Sequence, residues 1–339
     1  MEDQDATSSY KPIHILVTGA SGYLGQHVLQ KLLTTPPPDG VFYQITALCY
    51  SKSDMLRDAL EKVLLAERIK AVRVESVDLS DADSVKKLLF SQWVTDDDDL
   101  QPKVDICLHL AAMSSPRACE QTPNIAKQVN IPVPFFELLK QQNAKLIALS
   151  TDQVFDGTLS SVGGQCYDEH SVAKPCNIYG QTKLDMEQYL QTNYKDSIIL
   201  RSSIILGPKA PYIPAHDTFL HFIAGRDEPT TYFTNEIRSV VSTQHVCTTL
   251  QWMVDHYASS SPAPSGGVYH MGGPAAVSRY DMALAVLQHL KSNKQLAVQA
   301  KQTNPKSPLN ISMSSQKLFE LTKIEHIPVN LKGLVEYAL

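Results

Sequence analysis

Tyr179 and Lys183 stand four residues apart, so both project from one face if the segment is helical. Asn177, just upstream, is a residue type that caps helix starts. Earlier in the chain, Ser150-Thr151 closes the apolar run KLIALS. A phenol, an ammonium and a hydroxyl are what the reduction of a ketone requires. Negative charge builds on the carbonyl oxygen as hydride arrives, so the site needs a proton donor of lowered pKa and a hydroxyl that orients the carbonyl. In this reading Tyr179 gives the proton, Lys183 depresses its pKa and holds the ribose of the hydride carrier, and Thr151 hydrogen-bonds the carbonyl oxygen. The spacing alone arises easily by chance, the ordinary alternative being a buried tyrosine with a lysine stem packed beside it.

The hydride must come from a carrier, and the N-terminal end offers a place for one. TGASGYLG sets Gly19, Gly22 and Gly25 directly after the apolar run IHILV and at the start of a helical pattern. A tight turn needs Gly19, close approach of backbone to a pyrophosphate needs Gly22, and helix-on-strand packing needs Gly25. The N–H groups around Ser21, Tyr23 and Leu24 and the positive end of the helix dipole then face the phosphates. Asp78-Leu79, ending a third strand, suits an adenine edge, and Ala111-Ala112, after His109-Leu110, lets the backbone approach the central phosphates and ribose. The second strand ends in Cys49-Tyr50-Ser51-Lys52-Ser53 with no carboxylate to bind a ribose 2′-hydroxyl. Ser51 and Lys52 would welcome a 2′-phosphate, so NADP is expected ahead of NAD.

The elements that must position these groups alternate between strand and helix. Strands are expected at 13–17, 43–49, 72–77, 104–110, 145–150 and 197–202, and their continuous apolar character suits a parallel sheet covered on both faces. Amphipathic spacing places helices at Val28–Leu33, Leu56–Leu64 and Val85–Leu89. The fold class is α/β, a Rossmann doubly wound parallel sheet with a smaller C-terminal substrate lobe. The expected division is a flexible N-terminus at 1–12, an NAD(P)-binding domain at 13–203 and a substrate lobe at 204–339, with segments able to return to the sheet. The lobe is expected to end in two helices, Arg279–Leu290 and Ser314–Leu321.

Composition narrows the function classes. The chain has 339 residues, 43% hydrophobic and 19% charged, and a formal net charge of −5, values of an ordinary globular protein. No basic run interleaved with aromatics serves nucleic acid. The acidic block Asp96–Asp99 reads as a solvated loop. No apolar stretch approaches a membrane span, and the polar, acidic start MEDQDATSSYKP fits no leader peptide, so a cytoplasmic protein is expected. Six cysteines without a CxxC pair are expected to be free, buried or semi-buried thiols rather than metal ligands.

STDQVFDG (150–157), Tyr167-Asp168-Glu169 and PCNIYGQTKLDMEQ (175–188) resemble the central block of the dTDP-4-dehydrorhamnose reductase family of extended short-chain dehydrogenases. A close relative of that family is the methionine adenosyltransferase beta subunit. The resemblance takes in TGASGYLG, HLAA, Asn130, LRSSIILGP, Arg238 and the segment 267–283. It implies that Thr151, Tyr179 and Lys183 carry catalysis, that Asn130 supports the active-site end of its helix, and that the late segments shape a substrate pocket. Ser114, Asp152 and Arg238 are the substrate-side residues, Arg238 as a bidentate grip on a diphosphate at the head of a strand formed by its VV. Gln153, Cys119-Glu120 and His245 depart from the family pattern, and all are expected near the substrate. Three functions follow. The first is an NADP-dependent reductase of a keto group on a nucleotide-linked sugar. The second is a regulatory subunit whose partner is the methionine adenosyltransferase catalytic subunit; the lack of a long C-terminal tail leans against it. The third is an epimerase or dehydratase, with Asp152 as a further acid or base.

Overall fold

Short apolar runs separated by amphipathic ones leave the chain one economical arrangement, a sheet whose two faces are both covered. The computed structural model describes residues 11–65, 71–90, 103–158, 166–259, 264–292 and 295–339. Residues 1–10 of the N-terminus expected to be flexible over 1–12, and the acidic block 96–99, lie outside them; residues 11 and 12 instead open the first strand.

The first half runs β1 (Lys11–Thr18), α1 (Tyr23–Thr34), β2 (Val41–Cys49), α2 (Ser53–Val63), β3 (Val72–Ser76), α3 (Ala82–Phe90) and β4 (Ile106–His109). Three short helices follow: α4 (Pro116–Gln121), α5 (Pro123–Asn130) and α6 (Val133–Gln141). Then come β5 (Lys145–Thr151), a single helical turn at Asp152–Val154, α7 (Ile178–Asn193) and β6 (Ile198–Ser202). All six expected strands are present, and the first begins two residues early, at Lys11.

The second half holds β7 (Ile205–Leu206), α8 (Phe219–Ala224), β8 (Thr230–Phe233), β9 (Ile237–Arg238), β10 (Val241–Ser242) and α9 (Thr243–Ala258). It continues through β11 (Gly267–Met271), β12 (Val277–Ser278), α10 (Arg279–His289), β13 (Ala297–Ala300), α11 (Gln316–Thr322) and α12 (Leu331–Ala338). Two expectations need correction. The lobe closes with a third helix, α12, and Arg238 lies inside β9 rather than at the head of a strand made by Val240-Val241.

The main sheet has seven parallel strands in the order β11-β6-β5-β4-β1-β2-β3. Its chain order reverses between β1 and β4, which opens a crevice at the carboxyl ends of those strands, where nucleotides bind in such sheets. Alternate side chains feed opposite faces. Ile15 and Val17 pack with Val28 and Leu29 of α1 and Leu250 and Met253 of α9, whereas Leu16 packs with Phe135 and Phe136 of α6 and Met186 of α7. Residues after 204 therefore complete this layer: β11 pairs with β6, and α9 lies against α1. The helices α8, α10 and α12 and strands β8 and β13 enclose their own core around Leu220, Tyr232, Met282, Val286 and Val335, while Leu318 of α11 packs with the main sheet. No helix among the described residues is long and apolar enough to cross a membrane.

Candidate active site

Thr151 ends β5, and the backbone turns immediately into the 152–154 helical turn. Helix α7 starts beside it because Asn177 Oδ1 accepts the Gly180 N–H at 2.8 Å, the expected cap, while Asn177 Nδ2 donates to Gln153 Oε1 at 3.0 Å. Gly180 lets helix and turn touch: a Cβ there would lie 2.1 Å from Gln153 O. Asn130, fully buried, accepts the Met113 N–H at 2.7 Å and donates to Thr182 Oγ1 at 2.9 Å, tying the loop after β4 to α7.

These clamps set the Thr151 side chain beside the Tyr179 phenol, with Lys183 one turn further along α7. Burial pushes that phenol above its ordinary range, the charge of Asp152 adds to the effect, and Thr151 opposes it. The expected depression by Lys183 is absent. The Lys183 ammonium donates instead along its own helix to Met186 Sδ at 3.4 Å, and the charge facing it is Glu187. Burial lowers Lys183 to about 8, with Glu187 acting the other way.

The crevice end has a geometry that would suit a phosphate. Gly19 has φ +68°, and a Cβ there would meet Ala111 Cα and N at 3.0 Å. A Cβ on Gly25 would lie 2.2 Å from Gly19 O, so α1 seats on the turn only because residue 25 lacks one. At Gly22 an added Cβ would meet only Gly19 O, at 3.0 Å. No side chain caps α1 and no acidic residue occupies its first turn, which leaves the backbone there suited to an anion. Thr18 Oγ1 accepts the Leu110 and Ala111 N–H groups, both at 3.0 Å, and so fixes the second wall. Asp78 Oδ1 is engaged by the Ser80 N–H and hydroxyl at 2.9 and 2.6 Å, and Leu79 beside it is buried. Ser51 is exposed; Lys52, left-handed at φ +62°, donates from Nζ to Pro214 O at 2.8 Å. An uncapped helix start above a glycine turn, together with a 2% exposed lysine whose hydrogen bond is to a thioether, fits a dinucleotide. Gly22→Val should therefore fold normally but lose at least about tenfold in NADPH affinity by calorimetry, because its branched side chain occupies the approach to the helix start. Wild-type affinity in that variant would remove the cradle from this site.

Beside Thr151 and Asn177 lies a cleft of about 620 Å3 lined in part by Arg117, Glu120, Asp152, Gln153, Glu236, Arg238, Arg279 and Lys306. Asp152 is buried, accepting Ser203 Oγ at Oδ2 and Thr151 Oγ1 at Oδ1, and burial raises its pKa. Arg238 differs from expectation. Its Nη1 donates to Ile237 O and Leu309 O at 2.8 and 2.6 Å and its Nη2 to Pro308 O at 2.9 Å, so most of its fork fastens the 308–309 backbone. Arg279, unmarked in the sequence, is the better-placed cation: its Nε lies 3.5 Å from Glu236 Oε2 and its Cζ 4.4 Å over the Phe219 ring. The Ser278–Asp281 capping box could have flagged it as a residue held at a helix start. Lys306 bridges to Glu120 at 2.5 Å across the rim.

Ser114 is exposed and lies outside the residues lining the cleft. Of the departures from the family pattern, Gln153 and Glu120 line the cleft, and Cys119 is buried, its thiol donating to Met113 O. His245 does not belong with them. It packs on His326, ring centroids 4.7 Å apart, beside a separate cavity of about 20 Å3. The six cysteines are free; Cys166, expected to be at least half-buried, is exposed.

Residues 13–332 match the family described as RmlD substrate binding domain. Methionine adenosyltransferase 2 subunit beta of Rattus norvegicus is 27% identical over 285 residues, covering 80% of this chain and 70% of that protein. The dTDP-4-dehydrorhamnose reductase of Aggregatibacter actinomycetemcomitans is 26% identical over 284 residues, covering 83% and 81%. The structure of dTDP-4-dehydrorhamnose reductase from Bacillus anthracis str. Ames in complex with NADP superposes with a TM-score of 0.69 at 18% identity, covering 96% of this chain and 98% of that one, and supports the fold. A match over nearly its whole length makes this chain a member of the RmlD substrate binding domain family, with the extended short-chain dehydrogenase fold.

Proposed function

We propose that the chain is an NADP-dependent reductase of a keto group on a nucleotide-linked sugar. The observation that carries this reading is Thr151 beside the Tyr179 phenol, with Lys183 one turn along α7, next to Asp152, Gln153 and Asn177, which line a cleft that also presents Arg279. The glycine turn, the start of α1, Ala111-Ala112, Asp78-Leu79 and Lys183 would hold the cofactor, which when bound supplies the hydride. Burial keeps Tyr179 neutral, the state a proton donor must start from. Thr151 orients the carbonyl toward it. Lys183, retaining most of its charge at neutral pH, is left to hold the ribose of the cofactor. Asp152, held at both oxygens, orients the turn rather than shuttling protons. Exposed Ser51 and Lys52, in the absence of a carboxylate at the end of β2, support NADP over NAD.

The test is NADPH and NADH oxidation across a panel of 4-keto nucleotide sugars. Absence of turnover on every member would sink the reading. The diphosphate is assigned to Arg279, so Arg279→Lys should raise KM about tenfold with little change in kcat, as loss of a charged hydrogen bond does. An unchanged KM would remove that anchor.

The 27% identity to the rat beta subunit favours a second reading, a cofactor-holding regulatory subunit of methionine adenosyltransferase. Co-elution with the purified catalytic subunit, in the absence of turnover, would select it.

A further inference from the structure

Lys183 is 2% exposed, and a lysine so buried loses its proton readily unless a negative charge is near. Glu187 follows one turn later on α7 and is 1% exposed. It does not pair with the lysine. Ser150 Oγ donates to its Oε1 at 2.5 Å, Arg201 Nε lies 3.1 Å from both oxygens, and Arg201 Nη2 donates to Oε2 at 2.7 Å. Arg201 is fixed in turn by β6, by Phe155 5.2 Å from its Cζ and by His270 Nε2 at 3.5 Å. No ion pair within 4.0 Å joins Lys183 to Glu187 among the described residues.

We propose that Glu187 is a positioning residue for Lys183: clamped by Ser150 and Arg201, it supplies a fixed negative charge to the ammonium without taking up its N–H groups. Were Glu187 free to swing, it would close on the lysine and occupy the donors that the reductase reading assigns to the cofactor ribose; the proposal rests on that reading for its purpose. The other groups around the lysine supply no such charge. His109 approaches from β4 and is held neutral by burial, at about 3, and Tyr179 is an un-ionised phenol. Among the described residues only Glu187 favours the protonated lysine, and Arg201 lies beyond it.

The experiment reads the lysine itself. In protein labelled with 13C-lysine, the resonance lost in Lys183→Met is followed against pH in wild type, Glu187→Gln and Glu187→Asp. The wild-type midpoint is expected near 8. Glu187→Gln should lower it by about one unit or more, the scale of an opposite charge removed from a buried site, and Glu187→Asp should restore it. Breaking one half of a buried pair is strongly destabilising, so Glu187→Gln/Arg201→Met, which removes both charges and keeps bulk, is measured beside it. A folded variant of either kind with the wild-type midpoint overturns the proposal, because a merely structural role would move Tm and not the titration. NADPH binding is measured separately on the same samples. Failure of wild type to bind rejects the reductase reading, while a shifted midpoint still upholds the assignment to Glu187.

Discussion

Tyr179→Phe is expected to lower turnover by about 10² to 10⁴, the usual worth of a general acid, with NADPH affinity within about twofold of wild type. The substitution removes one oxygen and leaves no neighbour stranded. Thr151 keeps its hydrogen bonds to Asp152 Oδ1 at 3.3 Å and from the Gln153 N–H at 3.2 Å, so the turn that carries it stays in place. Lys183 and the glycine cradle do not depend on the phenol. The signature is therefore a fall in kcat and kcat/KM together, as when an interaction made only in the transition state is lost. Turnover at the wild-type level would reject Tyr179 as the proton donor. A parallel loss of NADPH affinity would instead mean that the ring is part of the cofactor wall.

The parts of the site visible in the sequence are those set by local rules. Gly19, Gly22 and Gly25 lie within one turn and one helix start, Tyr179 and Lys183 lie one turn apart, and Asn177 caps the helix that carries them. Each requirement is met within a few residues, so spacing alone exposes it. The six strands of the first half were legible for the same reason, since each is a continuous apolar run. The seventh, β11, was not. Its place beside β6 depends on 64 intervening residues folding away between Ser202 and Gly267, and nothing in GVYHM distinguishes a central-sheet strand from a strand of the lobe. The α9 helix was missed although Val246, Cys247, Leu250, Met253 and Val254 follow helical spacing, because the short strand before it drew the reading toward Val240-Val241.

Side-chain roles fixed by distant partners were the least legible. Arg238 carries the sequence context of a substrate ligand, yet carbonyls some seventy positions later occupy most of its fork, and Arg279 takes the open side of the cleft. The Glu187–Arg201 pair joins a helix to a strand, and neither residue stands out in its own segment. Gly180 looks like filler between Tyr179 and Lys183. Its need for a bare Cα comes from the backbone of residue 153, which no local pattern reports.

That contact carries the second large expectation. In a helix interior, replacing glycine with alanine ordinarily stabilises by about 1 kcal/mol. At Gly180 the added methyl would sit 2.1 Å from Gln153 O, 2.9 Å from Gln153 C and 2.9 Å from Pro175 Cβ. Two of these neighbours are backbone of the turn that follows Thr151, so no rotamer change relieves the clash. Either α7 moves outward or the turn shifts, and both separate Tyr179 from Thr151. A displacement of about 1 Å at a catalytic group costs on the order of 10² in rate, and overpacking of this kind costs about 1–3 kcal/mol of stability. Gly180→Ala should therefore lower both Tm and kcat, reversing the sign that helix propensity alone dictates. Gly225→Ala is the control, since its nearest contact would be an ordinary 3.5 Å and its φ of −83° admits a side chain. If Gly180→Ala melts at or above wild type and turns over normally, the seating of α7 on the 152–154 turn does not set the catalytic geometry. If Tm falls and kcat does not, the seam holds the fold together while the Thr151–Tyr179 pairing survives its strain.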